Sequence, residues 1–135
     1  MSFKPKNIVS TSKRLELLHL DLFGPSRTRS LSGNYYGFFI VDDFSRFTWT
    51  LFLSSKDDTF EAFIKFSNVI QNQLSLKIIS LRSDHDGEFL NHRFENYCDE
   101  FGISHNFSCP ITPQQNGVVE RKNRVLEELA RTMIN

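Results

Sequence analysis

The hydrophobic periodicity of this chain changes near residue 58, and this change restricts its possible folds more than any other feature. Before that point, three runs rich in aromatic and β-branched residues predict strands, at 15–23, 35–41 and 47–53. From there on, apolar residues recur at helical spacing, and Asp58 with Glu61 resembles a capping box that starts a helix. The first part therefore predicts an antiparallel meander, and the second part begins with a helix.

Short strands and helices alternate after this first helix. Gly24 and Pro25 predict the end of the first strand, and Gly102 predicts the end of the second helix. The later segments are a strand at 77–81, a helix at 91–101, a strand at 103–108, a loop at 110–117 and a helix at 118–135. This order predicts an α/β domain with a mixed five-stranded sheet and helices on both faces. The final helix has no capping glycine, so we expect a C-terminally truncated core.

The composition fits one ordinary globular domain. The chain has 135 residues, with 16 basic and 16 acidic side chains and a net charge of zero. Such a balance neither supports nor excludes DNA binding, because acidic catalytic residues and a basic rim can cancel. Residues 1–14 carry four basic residues and no acid. We expect them to form a flexible lead-in to a domain over 15–135.

Cysteine usage and hydropathy indicate the compartment. Cys98 and Cys109 have no neighbouring Cys or His at zinc-finger spacing, so we expect two free thiols. The sequence contains no run of 18 apolar residues and no signal peptide. We therefore expect an intracellular protein without a membrane span.

Three acidic residues stand where a metal site could be built. Asp21 lies inside the apolar first strand, where a carboxylate is costly unless it is paired, hydrogen-bonded or metal-bound. Asp84 directly follows the fourth strand, and Glu120 lies in the first turn of the last helix. If the first and fourth strands are neighbours, Asp21 and Asp84 converge. Such a carboxylate cluster suits two-metal phosphodiester chemistry.

Each acid also has a purely structural interpretation. Asp21 could be hydrogen-bonded in its strand, Asp84 could belong to a turn, and Glu120 could favour the helix N-terminus through the dipole. The spacing of these residues alone leaves both interpretations open.

Four segments resemble the integrase catalytic core of copia-type LTR retrotransposons, in the retroviral integrase superfamily. They read LLHLDLFGP, YYGFFIVDDFSRFTW, LRSDHDGEF and TPQQNGVVERKNR. The family carries two Asp and one Glu with 35 residues between the second Asp and the Glu, and 35 residues separate Asp84 from Glu120. The resemblance implies a ribonuclease-H-like fold, with Asp21, Asp84 and Glu120 as ligands of Mg²⁺ or Mn²⁺. One departure is visible, because His85-Asp86 replaces the usual Asn-Gly, and Asp86 could compete with Asp84 as ligand.

The resemblance also implies DNA contacts near the last helix. Gln114, Gln115 and Asn116 correspond to the active-site loop, although Asn116 could equally cap the helix. Asn123 and Arg124 lie on the helix face that meets DNA in the family. An ion pair of Arg124 with Glu120 at i,i+4 is an equal alternative.

Other polar residues near the site favour structural roles. His19 shares a strand face with Asp21. We expect it to have a structural role or to contact a metal ligand without binding the metal itself. Asp42 and Asp43 read as turn residues. Glu88 is a candidate outer partner of the metal site.

The function that the resemblance implies is DNA integration by a polynucleotidyl transferase acting on element ends and target DNA. Such an enzyme would act in the nucleus and form a homo-oligomer in the full-length protein. One rival is a nuclease of the same fold with another substrate, such as a ribonuclease H. The other is a catalytically inactive core remnant that at most binds nucleic acid.

Overall fold

A computed structural model describes residues 10–26 and 35–108, together with Arg124 and Glu128. Its described strands form one five-stranded sheet in the order β3-β2-β1-β4-β5. The first three strands pair antiparallel, whereas β4 runs parallel to both β1 and β5. The strands are β1 (Leu17–Ser26), β2 (Tyr35–Asp42), β3 (Thr48–Leu53), β4 (Ser80–Ser83) and β5 (Ser104–Phe107), and the helices are α1 (Thr59–Leu74) and α2 (His92–Phe101). The predicted mixed five-stranded α/β architecture is confirmed.

The main core lies between the sheet and both of these helices. Alternate residues of β1 and β2, such as Leu20 and its partner Ile40, contribute to this core. Phe63 of α1 and Phe94 of α2 meet in the same core at 5.5 Å between ring centroids. The two described helices therefore share one face of the sheet. The helix predicted at 118–135 lies outside the described residues except for Arg124 and Glu128, which are helical.

The first strand continues past the point where the sequence predicted its end. It runs through Gly24 and Pro25 to Ser26, with a shift in its register against β2 between Phe23 and Ser26. Gly24 adopts a φ of 137°, which an irregular strand tolerates at glycine. The prediction that Gly24-Pro25 stops β1 was wrong, because β1 pairs with β2 again at Ser26, beyond the irregularity.

The predicted capping box at the start of α1 was also wrong. Asp58 has helical backbone angles and its side chain makes no capping hydrogen bond. A short 3-10 turn over Lys56–Asp58 precedes the helix, and its cap is Ser55, whose Oγ accepts from the Asp57 N–H at 3.1 Å. Asp58 is thus already inside helical structure, where its side chain cannot reach the N–H groups ahead.

The ends of α2 agree with their sequence signals. The Asn91 side chain accepts a 3.0 Å hydrogen bond from the Phe94 N–H at the start of the helix. Gly102 ends it in the left-handed conformation, with φ at 67°. The helix and the following strand β5 therefore lie where the sequence predicted them, whereas β4 begins at Ser80 rather than at residue 77.

Candidate metal centre

The pairing of β1 with β4 brings two of the predicted ligands to the same level of the sheet. The parallel register pairs Leu18 with Leu81 and His19 with Arg82. Continued by two residues, the same register places Asp21 level with Asp84, just beyond the end of β4. Because side chains alternate along a strand, Asp21 lies on the face of β1 opposite Leu18 and Leu20, which pack in the core beneath α1 and α2. The neighbouring strands required for convergence of Asp21 and Asp84 are confirmed.

A tight turn after β4 gathers three acidic side chains, which we call the acid cluster: Asp84, Asp86 and Glu88. One carboxylate oxygen from each lies within 4.8 Å of the others. Asp84 and Glu88 are half-buried and Asp86 is exposed. The turn is closed by the Asp86 carbonyl, which accepts hydrogen bonds from the N–H groups of Phe89 at 3.0 Å and Leu90 at 2.8 Å. Phe89 is 1% exposed and anchors the turn in the core.

The electrostatics of the acid cluster disfavour its fully charged form in the absence of a cation. Burial raises the pKa of Asp84, and the negative charge of Asp86 adds to that rise. Burial likewise raises the pKa of Glu88, with smaller contributions from the charges of Asp86 and Asp84. A bound cation would relieve this repulsion. The cluster is therefore suited to hold a positive ion.

The donor set matches the ion that the sequence predicted. Carboxylate oxygens are hard ligands, which Mg²⁺ and Mn²⁺ prefer over softer nitrogen and sulfur donors. Sequence reasoning named Asp86 only as a competitor of Asp84 and Glu88 only as an outer partner. The structure places both beside Asp84. The alternating acids at 84, 86 and 88 within one turn were the signal that could have revealed this.

Several predicted site residues lie outside the described part of the chain. They are Glu120, Gln114, Gln115, Asn116 and Asn123. Arg124 is helical and exposed, and this position suits a DNA contact and an exposed ion pair equally. The roles assigned to these residues stay predictions.

The remaining candidates hold the backbone around β1 and β2. His19 Nε2 lies 2.8 Å from Asp43 Oδ1, and this hydrogen bond is the main reason that the pKa of Asp43 is lowered. Asp42 is fully buried and accepts hydrogen bonds from the N–H groups of Leu15 and Ser45, both at 2.8 Å. The structural roles predicted for these residues are confirmed.

The meander, the two parallel strands beside it, the carboxylate within β1 and the carboxylate directly after β4 define a ribonuclease-H-like α/β domain. Residues 12–113 match the family described as the integrase core domain, and the chain belongs to that family. This confirms the family predicted from the four sequence segments.

Curated relatives include polyproteins of plant transposons. The chain is 41% identical over 120 residues to the retrovirus-related Pol polyprotein from transposon TNT 1-94 of Nicotiana tabacum, covering 89% of the chain and 9% of that protein. It is 35% identical over 127 residues to the polyprotein from transposon RE2 of Arabidopsis thaliana, covering 94% of the chain and 8% of that protein. The chain thus spans less than a tenth of these relatives.

Solved structures agree on the fold. The HTLV-2 integrase catalytic core domain in complex with magnesium, in its trimeric form, aligns with a TM-score of 0.61 at 20% identity, covering 89% of this chain and 72% of that one. The BIV integrase catalytic core aligns with a TM-score of 0.52 at 23% identity, covering 84% of this chain and 68% of that one.

Neither helix within residues 10–26 and 35–108 is long and apolar enough to cross a membrane.

Proposed function

We propose that this chain is the catalytic core of a polynucleotidyl transferase that cleaves and joins DNA phosphodiesters at the ends of a transposable element. The observation that supports the proposal is the parallel pairing of β1 with β4, the two strands that lead to Asp21 and Asp84, within an integrase core domain. Asp21 lies within β1 and Asp84 directly follows β4, so the pairing of these strands limits the movement of one carboxylate relative to the other, as the ligands of a catalytic metal require.

In this proposal the residues that would hold Mg²⁺ or Mn²⁺ are Asp21, Asp84 and Glu120. The bound ions would supply Lewis acidity to the attacking and leaving oxygens of the phosphodiester. Asp86 and Glu88 add negative charge beside Asp84, which increases the attraction of the site for cations. The solved structure of the HTLV-2 integrase catalytic core domain in complex with magnesium supports this choice of ion.

The proposed substrates are element-end DNA and target DNA. Gln115, Asn116, Asn123 and Arg124 are the proposed DNA contacts, and the chain would act in the nucleus as part of a homo-oligomer. The solved HTLV-2 cores form dimers and trimers, which supports self-association of this kind of domain.

The decisive variant is Glu120→Gln, which preserves the shape of the side chain and removes its charge. Cleavage and joining of a labelled element-end duplex should both fall by at least about a hundredfold, whereas the circular dichroism spectrum should not change. Glu128→Gln is the matched control, since it removes a carboxylate from an exposed helical position eight residues further along the chain. Retained activity in Glu120→Gln would falsify the ligand assignment. Preferential cleavage of an RNA–DNA hybrid would instead indicate a ribonuclease H.

The alternative function is a catalytically inactive core that only binds nucleic acid. The observation that favours it is Asp86, an additional carboxylate within 4.8 Å of Asp84 at a position where the family usually has glycine. In that case the wild-type chain would bind DNA with a salt-dependent affinity but would show no metal-dependent cleavage.

A further inference from the structure

Three aromatic rings stack at the edge of the sheet beside Asp84, and we call this group the ring stack: His85, Phe107 and His105. The ring centroids of His85 and Phe107 are 5.4 Å apart, with an angle of 27° between the planes. Phe107 and His105 are 4.3 Å apart at 30°. The rings therefore lie nearly parallel, one behind another.

The inner end of the ring stack is fixed to the protein. His105 Nε2 lies 2.8 Å from the Ser83 Oγ, and Ser83 is buried at the end of β4. Phe107 and His105 are half-buried, whereas His85 is exposed. The outermost ring is thus held in one orientation by stacking while it remains accessible from solvent.

The ring stack also lies beside the proposed catalytic carboxylate. His85 follows Asp84 directly in the turn after β4. Phe107 is the last residue of β5, which runs parallel to β4. Both rings consequently lie at the carboxyl edge of the parallel strands, where Asp84 is found.

We propose that the exposed face of the His85 ring stacks on an unpaired DNA base adjoining the phosphodiester bound at Asp84. The inference rests on the proposed function and deepens it by naming a residue that positions the substrate. Stacking on an aromatic ring is open to every base, because every base has a π-face, so this contact would tolerate any sequence. A ring already oriented by Phe107 loses little conformational entropy when the base stacks on it.

The test is the fluorescence of 2-aminopurine, which falls when this base stacks on an aromatic ring. The probe is a DNA duplex with a two-nucleotide single-stranded end that carries 2-aminopurine in the overhang. Addition of the wild-type chain should quench the probe. His85→Ala should abolish the quenching and weaken binding of this DNA about three- to tenfold, whereas His85→Phe should preserve both.

Two further variants separate stacking from other effects. His92→Ala is the matched control, because His92 is also exposed and lies in the first turn of α2. It should behave as the wild type. His85→Asn keeps a polar side chain without a ring and should lose quenching as His85→Ala does. Equal quenching by the wild type, His85→Asn and His85→Ala would overturn the proposal, and so would an absence of quenching in the wild type.

Cleavage assays of the wild-type chain, run beside the quenching measurement, distinguish failure of this proposal from failure of the proposed function. Quenching that depends on His85 in a wild-type chain without metal-dependent cleavage would support the stacking contact and count against the catalytic assignment only. Metal-dependent cleavage by the wild type, without quenching that depends on His85, would overturn the stacking contact and leave the proposed function standing.

Discussion

The backbone N–H of Asp86 donates a 3.0 Å hydrogen bond to the Oδ1 of Asp84, and this contact holds two acidic residues in one turn. Glu88 completes the acid cluster, with carboxylate oxygens within 4.8 Å. The hydrogen bond stabilises the Asp84 carboxylate, but the Asp86 side chain that accompanies it repels the same charge. The negative charges of the acid cluster therefore repel one another, and a bound cation would offset this repulsion.

Replacing Asp86 by asparagine should stabilise the metal-free protein. The substitution keeps the backbone hydrogen bond to Asp84 and removes one of the three charges. Because Asp86 is exposed, the expected gain is only on the order of 0.5 kcal/mol, or a few degrees or less in melting temperature. The measurement is a thermal melt in a chelating buffer, with Asp99→Asn on the exposed surface of α2 as control. A lower melting temperature for Asp86→Asn than for the wild type would contradict the repulsion.

Divalent ions should raise the melting temperature of the wild-type chain through Asp84. An ion that binds only the folded state at ten times its dissociation constant stabilises it by about 1.4 kcal/mol. The rise with millimolar Mg²⁺ or Mn²⁺ should be much smaller in Asp84→Asn and unchanged in Asp99→Asn. An equal rise in all three proteins would place ion binding elsewhere.

The acid cluster should make stability without metal fall as the pH rises. Asp84 and Glu88 have pKa values above their ordinary values of 3.8 and 4.5. A carboxyl whose pKa is raised by folding contributes stability below its unfolded pKa, and this contribution is lost as the pH rises through the folded pKa. Urea unfolding of the wild type and of the Asp84→Asn/Glu88→Gln variant between pH 3.5 and 7 would isolate this contribution.

Asp43 provides the control of opposite sign for that titration. Its pKa is lowered, chiefly by the hydrogen bond with His19, so its contribution is present above the unfolded pKa and lost as the pH falls. Asp43→Asn should therefore lose most stability at neutral pH and little in acid. If the acid-cluster variant showed the same pattern, the assigned directions would be wrong.

Asp42→Ala should be among the most destabilising substitutions in the sheet. Asp42 is fully buried and accepts hydrogen bonds from the Leu15 N–H, the Ser45 N–H and the Ser45 Oγ. Its removal leaves the N–H of the fully buried Leu15 without its acceptor, at a cost of about 2–4 kcal/mol in the free energy of unfolding. Asp42→Asn should cost less, because one oxygen acceptor remains. Urea unfolding measures both losses, with Asp57→Ala at an exposed position as the reference. A loss below about 0.5 kcal/mol in the free energy of unfolding of Asp42→Ala would refute this role.

Gly24→Ala should be destabilising where Gly87→Ala is not. Gly24 has a φ of 137°, and a Cβ added there would approach the carbonyl oxygen of Tyr35 to 2.9 Å. Nothing lies within 4 Å of a Cβ added at Gly87. We expect a loss of about 1–3 kcal/mol for the first variant and about 0.5 kcal/mol or less for the second, measured by urea unfolding. Similar losses for both would mean that β1 adjusts freely at Gly24.

The elements whose signals are local could be predicted from the sequence. The strand-like runs predicted the meander, and Asn91 and Gly102 predicted the ends of α2, because caps depend on atoms within one helical turn. The spacing of Asp84 and Glu120, read with four characteristic segments, was enough for the family, which the match over residues 12–113 confirms.

Features that depend on contacts between distant parts of the chain could not be predicted from the sequence. Strand β1 passes through Gly24 and Pro25 because β2 pairs with it on both sides of the irregularity, which no local pattern predicts. The strands that carry Asp21 and precede Asp84 are neighbours only because β4 pairs with β1 across more than fifty residues of intervening chain. The acid cluster depends on packing, since the turn that carries it is fixed in the core by the buried Phe89. The ring stack depends on the contact between His105 and the buried Ser83. Sequence spacing supplies the chemical groups, but strand pairing and core packing set which of them meet.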